Sequence, residues 1–205
     1  MPPGYAAFFL WTAAAILWWS GWREETADGI PERAVAVFLA GWPLTAWMKT
    51  GLGHAASVQV NGAFMWTAVA MIVLALTMTP PAAWTALSAG ILAGSFAVML
   101  SFSPHFYLTA PDWLAGRGAA LVVGMMSAAL CRGASGQIVA ASAALCLCEG
   151  LSNLWLRESG PFVIGTERWM ESWWTSVLTA RLASYLASAA FRVVRSPWRR
   201  GGQQT

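Results

Sequence analysis

The chain has 205 residues, of which 58% are apolar and only 10% are charged, whereas a soluble domain typically has about 25% charged residues. This composition argues against a soluble globular protein and leaves room for about six membrane helices of roughly 20 residues each. The excess charge of +3 is a property of the tail, which holds Arg192, Arg195, Arg199 and Arg200. We therefore predict an all-α fold: a polytopic transmembrane helical bundle of about six spans plus a C-terminal amphipathic interfacial helix.

Apolar stretches predict the spans of a bundle that covers residues 1–158. The first stretch ends before the charged run 23–25, because charged side chains are costly in hydrocarbon. A cleavable signal peptide is the alternative for this stretch, but no basic residue precedes it and no small-residue cleavage pattern ends it. Pro31 suits the first turn of the second helix, and Pro43 predicts a kink in its second half. The predicted spans are 5–22, 31–48, 58–78, 82–102, 113–131 and 136–156.

Two of the predicted helices carry small residues at four-residue spacing, which lets a neighbouring backbone approach closely. We predict that both faces pack within the bundle, for example against each other; a self-association face is the alternative. The small residues are Ala86, Gly90 and Gly94 on the fourth helix, and Ala120, Gly124 and Ala128 on the fifth.

Cysteine and tryptophan usage fits the same picture. Cys131, Cys146 and Cys148 lie in apolar stretches and are predicted to pack as small hydrophobic residues rather than to form a disulfide framework. Most of the 14 tryptophans fall near the ends of apolar runs, which predicts that they are mainly anchors at the membrane interface.

The sixth predicted span carries a polar seam. Helical spacing places Ser142, Cys146, Glu149, Asn153 and Arg157 on one stripe, whereas the other faces are nearly all apolar. Glu149 lies about two turns inside the span, where a carboxylate must pair, protonate or face water, and its expected partners are Asn153 and Arg157. Two interpretations are open: a solute or proton site around Glu149, or a structural clasp between helices near the headgroups.

Residues 159–205 are predicted to form a cytoplasmic-side loop, an amphipathic basic helix and a disordered tail. The segment 169–191 is long enough to span, but Arg181 falls near its centre, at a cost of roughly 2.5 to 3.5 kcal/mol on insertion. From Leu178 onward, apolar and basic residues occupy opposite helical faces, which predicts a helix in the membrane plane. A helix packed on the bundle with solvated arginines is the alternative. The residues predicted to contact anionic lipid are Arg181, Arg192, Arg195, Arg199 and Arg200.

Loop charges predict the orientation, because Lys and Arg are enriched in cytoplasmic loops. Six spans with both ends in the cytoplasm give a larger inside excess of basic residues than seven spans with the N-terminus outside. Both arrangements place the basic tail in the cytoplasm.

The exit from the first helix at 21–23 (Gly-Trp-Arg), the entry to the third at 60–64 (Val-Asn-Gly-Ala-Phe) and the overall length carry a family resemblance. In these features the chain resembles the YphA-like family of small polytopic membrane proteins of spore-forming bacteria. The resemblance implies a bacterial cytoplasmic membrane and a role in envelope or spore assembly, and it brings no catalytic residues.

The predicted spans contain few polar residues, and three classes of function are compatible with this composition. We favour a structural or assembly factor whose packed helices and basic tail position a membrane-protein partner or a second copy. A small-solute binding or transport subunit with a polar site around Glu149 is the alternative. An intramembrane enzyme is the third class, with His54, His105, Asp112 and Glu149 as its available acid, base or metal groups. No residue spacing indicates a metal site, a cofactor or a catalytic motif, and lipid rather than nucleic acid is the expected partner of the basic tail.

Overall fold

The computed structural model describes residues 4–23, 27–52, 58–101, 103, 117–155 and 162–195, which form a bundle of seven α-helices and one small sheet. The helices are α1 (Tyr5–Trp19), α2 (Glu32–Ala46), α3 (Gly62–Thr77), α4 (Pro80–Ser101), α5 (Gly118–Leu130), α6 (Ala134–Trp155) and α7 (Glu167–Arg195). The strands are β1 (Lys49–Leu52), β2 (Val58–Asn61) and β3 (Phe162–Ile164). The predicted helical class is confirmed.

The start of α3 differs from the prediction, because residues 58–61 form β2 and the helix begins only at Gly62. Asn61 fixes this boundary. Its Oδ1 accepts a hydrogen bond of 2.8 Å from the N–H of Ala63, which satisfies one of the free donors at the helix start. Its Nδ2 donates to the carbonyl of Ala46 at 3.2 Å. Asn61 therefore caps α3 and ties it to the end of α2.

The sheet is a feature that the all-α prediction missed. β1 and β2 pair antiparallel, with Thr50 opposite Val60. β2 and β3 pair parallel, with Gln59 opposite Val163. The strands have three or four residues each, too few for a two-residue period to stand out from the sequence. In addition, β3 comes from a distant part of the chain, so no local pattern could reveal the pairing.

The small face of α4 packs against α6. A Cβ added to Gly90 would lie 2.7 Å from the carbonyl oxygen of Ala140, and one added to Gly94 would lie 2.8 Å from that of Ala144. Since both pairs advance in the same direction, α4 and α6 run parallel. The predicted close approach is therefore present, but its partner is α6 rather than α5.

The small face of α5 packs against α7 in the same way. The hydroxyl of Ser176 donates to the carbonyl of Ala120 at 2.8 Å. One turn further on, a Cβ added to Gly124 would meet Thr179 at 2.8 Å. These contacts make α5 and α7 parallel neighbours.

The first and last helices also run parallel. The backbone N–H of Gly4 donates to Oε1 of Glu171 at 2.9 Å, and the rings of Trp22 and Tyr185 meet at the other end with centroids 5.7 Å apart.

The bonds of Asn61 to Ala46 and of Trp66 to Phe38 make α2 and α3 antiparallel, and the β2–β3 pairing places the starts of α3 and α7 at the same end. Because α6 bonds to α7 in the opposite direction, α1, α3, α5 and α7 run one way and α2, α4 and α6 return. We call the end with β1–β3 the sheet end, and the opposite end the arginine end.

The first half of α7 lies inside the bundle, where the sequence predicted a loop and an interfacial helix. The buried residues of this half are Trp169, Met170, Trp173, Trp174, Ser176, Val177 and Ala180. The reason is that the apolar residues before Leu178 bury against α1, α5 and α6, so α7 is a member of the bundle rather than an appendage.

Several tryptophans form the core instead of anchoring the protein at an interface. Trp42 is fully buried, and its ring meets that of Trp174 edge-on at 5.4 Å between centroids. Trp173 and Phe38 extend this cluster, with centroids 5.5 Å apart. An edge-to-face pair such as Trp42–Trp174 stabilises beyond simple burial. The prediction of interfacial anchors is therefore wrong for this group.

Two helices are long and apolar enough to cross a membrane: Pro80–Ser101, with mean hydropathy 1.7, and Ala134–Leu154, with mean hydropathy 1.4. The apolar helices α1, α3 and α5 have 15, 16 and 13 residues, fewer than the roughly 20 that span a typical bilayer. Length and composition thus hint only weakly at membrane association, since a core helix of a soluble protein passes the same test.

Candidate functional site

The first residue of the predicted polar seam joins two helices. Ser142 on α6 is buried, and its Oγ accepts a hydrogen bond of 2.9 Å from the indole Nε1 of Trp173 on α7. A buried indole N–H is stabilised by such an acceptor. Ser142 therefore fixes the orientation of an aromatic side chain in the core.

Glu149 holds the turn that leads into α7. Its Oε1 accepts a hydrogen bond of 3.2 Å from the backbone N–H of Gly165. Gly165 has a φ of +78°, and a Cβ at this position would overlap the side chain of Phe64. Both the backbone conformation and the space therefore require glycine there. In the same turn, the hydroxyl of Thr166 accepts from the N–H of Trp169 at 3.3 Å.

The rest of the seam does not assemble around Glu149. Asn153 is half-buried, and the described residues contain no hydrogen bond between it and Glu149. Arg157 lies outside the described residues. Among the described residues, the donor to Glu149 is therefore the backbone of the turn before α7 rather than the side chain of Asn153. Helical periodicity relates only residues of the same helix, so it could not identify a hydrogen-bond donor on another segment.

Arg181 belongs to a polar network that the sequence reasoning did not foresee. Its Nη1 donates to Oε1 of Gln137 on α6 at 3.0 Å. The amide Nε2 of Gln137 donates in turn to Oγ of Ser184 at 2.6 Å and to the carbonyl of Cys131 at 3.1 Å. Gln137 is only 2% exposed. The sequence signal of this network was the amide of Gln137 in the first turn of α6.

The network also changes the depth assigned to Arg181. The sequence analysis placed this residue on a helix at the membrane surface, and at the centre of a span only if 169–191 crossed the membrane. In the structure Arg181 is half-buried, and its partner Gln137 lies in the first turn of α6, close to the arginine end. The guanidinium is thus near the end of the bundle, where a basic side chain is least costly in a membrane.

The other predicted lipid contacts are only partly described. Arg192 is exposed on the last turns of α7, and Arg195 ends the helix. Arg199 and Arg200 lie outside the described residues.

An apolar cavity of about 360 Å³ lies between α1, α2, α3, α6 and α7. Phe38, Trp66, Trp173 and Val177 contribute to its walls, and Arg181 supplies its charged group. Glu149 and Asn61 do not line it. Ser142 is therefore the one residue of the predicted seam that also lines the cavity.

Cysteines and titratable groups give no further cluster in the described part of the chain. Cys131, Cys146 and Cys148 are free thiols, and Sγ of Cys148 donates to the carbonyl of Gly94 at 3.4 Å. No group of three or more His, Cys, Asp and Glu residues that could hold a metal ion occurs among the described residues. The enzyme candidates His54, His105 and Asp112 lie outside those residues.

No protein family, curated protein or solved structure matches this chain.

Proposed function

We propose that this chain is a multi-pass integral membrane protein of a bacterial cytoplasmic membrane and that it acts as a structural or assembly factor of the envelope, as the YphA-like resemblance implies. The observation that carries the proposal is the exposure of many large apolar side chains on the outside of the bundle, together with several polar side chains buried inside it. Large exposed apolar patches are rare on soluble monomers. The outward-facing apolar residues include Phe9, Ile16, Ile72, Leu76, Ile91 and Met99. The buried polar residues include Ser127, Gln137, Ser142 and Ser176.

Exposed aromatic residues at both ends of the bundle support this placement. Trp19 and Trp84 are 81% and 70% exposed near the arginine end, and Trp47 and Tyr5 are 79% and 69% exposed near the sheet end. Aromatic rings with a polar atom are typical of the two headgroup layers of a bilayer. The two pairs delimit the apolar zone of the bundle.

The number of crossings in this proposal is seven. Six are the spans predicted from the sequence, now α1 to α6. The seventh is α7, because it packs parallel to α1 and α5. Two arguments spoke against a seventh span: the smaller cytoplasmic excess of basic residues, and the burial of Arg181 at the centre of the span. The position of Arg181 beside Gln137, near the arginine end, removes the second argument.

The proposed orientation places the arginine end in the cytoplasm. Basic residues favour that side. Among the described residues, the arginine end carries Arg23, Arg33, Arg132, Arg181 and Arg192, and the sheet end carries Lys49, Arg117 and Arg168. The basic C-terminal tail is then cytoplasmic, as both sequence-based arrangements predict.

An assembly role is favoured over a polar-solute site because the seam residues already serve the fold. Glu149 binds the turn before α7, and Ser142 binds Trp173. Beyond Arg181, α7 continues past the arginine end with exposed Leu186 and Arg192. This extension and the basic tail offer a partner a surface that is not needed for packing.

Cysteine labelling in intact cells tests the membrane arrangement, in a variant whose native cysteines are replaced by alanine. Tyr5→Cys, Ser20→Cys and Ser188→Cys sample both ends of α1 and the extension of α7. We expect a membrane-impermeant maleimide to label position 5 only. Labelling at position 20, with none at 5 and 188, indicates six spans with an interfacial helix and contradicts the seventh crossing.

Truncation tests the assembly role. A chain ending at Arg192 is expected to keep the thermal unfolding midpoint of the full chain in detergent while losing its co-purified membrane-protein partner. The matched control is a full-length chain with Arg168→Gln at the opposite end, which should retain the partner. Identical partners before and after truncation contradict recruitment by the tail.

A further inference from the structure

The cavity between α2 and α3 opens through the side of the bundle rather than through an end. Val37, Val69 and Val73 line it and are also 59%, 54% and 55% exposed, so they form the rim of its mouth. In the arrangement proposed above, this side faces the acyl chains of the bilayer. A molecule entering here comes from the lipid and not from the water.

The walls of the cavity are suited to a hydrocarbon chain. Its volume of about 360 Å³ falls in the range of ligand sites, which are usually apolar with a few placed polar groups. Phe38, Trp66, Leu74 and Val177 provide apolar walls. Trp66 and Trp173 already use their indole N–H groups in bonds to Phe38 and Ser142. These two rings therefore present carbon surface to an occupant.

The charge of the cavity lies at one end only. Arg181 is its basic lining residue, and the bond to Gln137 holds the guanidinium in place. The exposed carboxylate of Asp28 also stabilises this cation, so an anionic ligand shares the guanidinium with Asp28. A guanidinium has five N–H donors and suits phosphate oxygens well.

We infer that this cavity binds one acyl chain of an anionic membrane phospholipid through the mouth between α2 and α3, with the headgroup phosphate beside Arg181. The inference rests on the proposed membrane function. It goes beyond the attraction of lipid headgroups to a basic helix, because the acyl chain of the lipid occupies a defined place between protein helices. A polar solute is not favoured, since Arg181 is the one charged residue among those that line the cavity.

Photo-crosslinking tests the site in the full chain, reconstituted in phosphatidylcholine vesicles. The probe is phosphatidylglycerol with a diazirine in one acyl chain, and a free fatty acid with the same diazirine is the second arm. We expect phosphatidylglycerol crosslinks to concentrate on the cavity-lining residues of α2 and α3 rather than on the outer face of α4. Crosslinks spread evenly over the exposed faces overturn the inference, as does specific labelling by the fatty acid alone.

Two pairs of variants refine the test. Ala70→Phe fills the cavity and should remove the specific crosslinks, whereas Ala82→Phe adds the same ring on the exposed start of α4 and should leave them unchanged. Arg181→Gln should lower labelling about fivefold, which corresponds to the roughly 1 kcal/mol that one basic side chain contributes near anionic lipid. Arg192→Gln, on the same helix but outside the cavity, should not.

Equal labelling of both members of either pair overturns the inference. If Ala70→Phe does not fold, the crosslink map of the unaltered chain and the comparison of Arg181→Gln with Arg192→Gln still test the lipid site. Alkaline carbonate extraction of the same membranes separates the two proposals. Extraction of the chain contradicts the membrane function itself, whereas a retained chain without specific crosslinks contradicts only the lipid site.

Discussion

Glu149 on α6 and Gly165 in the turn before α7 are joined by a hydrogen bond of 3.2 Å from the backbone N–H to the carboxylate Oε1. This bond couples the last part of one long helix to the start of another. It also lies beside β3, whose pairing with β2 closes the sheet end of the bundle. The carboxylate of the predicted polar seam thus stabilises the connection between two helices.

Replacing the Glu149 carboxylate should destabilise the protein. We expect Glu149→Ala to lower the free energy of unfolding by about 1.5 kcal/mol, the lower end for a hydrogen bond to a charged group, because the site is partly exposed. Asn153→Ala, one turn further along α6, is the matched control and should change little. Reversible unfolding in mixed detergent micelles measures both. A comparable loss for the two variants would mean that the seam acts as a unit, contrary to the structure.

Gly165→Ala should cost more than Gly133→Ala, although both glycines have positive φ angles of +78° and +80°. A non-glycine residue in this conformation costs roughly 1–2 kcal/mol. At Gly133 the added methyl group meets nothing within 4 Å, whereas at Gly165 it overlaps Phe64. Thermal unfolding midpoints of the two variants measure the difference. Equal midpoints would show that the turn has room for a side chain.

Gly90→Ala should separate α4 from α6. Its new methyl group would lie 2.7 Å from the carbonyl oxygen of Ala140 and 2.8 Å from the Cβ of Ala143, so the helices must move apart. Gly150→Ala is the control, because a Cβ there meets nothing within 4 Å. That variant should gain about 0.5–1 kcal/mol through helix propensity. The opposite signs of the two changes in unfolding free energy are the expected result, and two stabilising changes would contradict the close contact.

Gln137→Leu should leave the Arg181 guanidinium without its amide acceptor, at a cost of about 1–3 kcal/mol. A double variant with Arg181→Leu should lose less than the sum of the two single losses, because it removes both polar partners. The double-mutant cycle of unfolding free energies measures this coupling. Strict additivity would mean that the 3.0 Å bond contributes nothing to stability.

Local sequence patterns predict most of the helices, but they do not predict the partners of the polar groups. The boundaries of α1, α2, α4 and α6 follow from where apolar runs begin and end, since that signal is contained in neighbouring residues. The donor for Glu149 comes from Gly165, and the acceptor for Arg181 comes from Gln137. Each pair joins separate segments, so no helical stripe could identify it.

The sequence by itself determined the helical class, the approximate helix bounds and the small-residue faces, because apolar periodicity and residue size act within one segment. Only the tertiary structure decided that α4 packs on α6, that α7 enters the bundle and that three short segments form a sheet. The physical reason is that each helix has several faces of similar apolarity. Which face is buried depends on the shape and hydrogen-bonding needs of the other segments, such as the fit of Gly90 against Ala140.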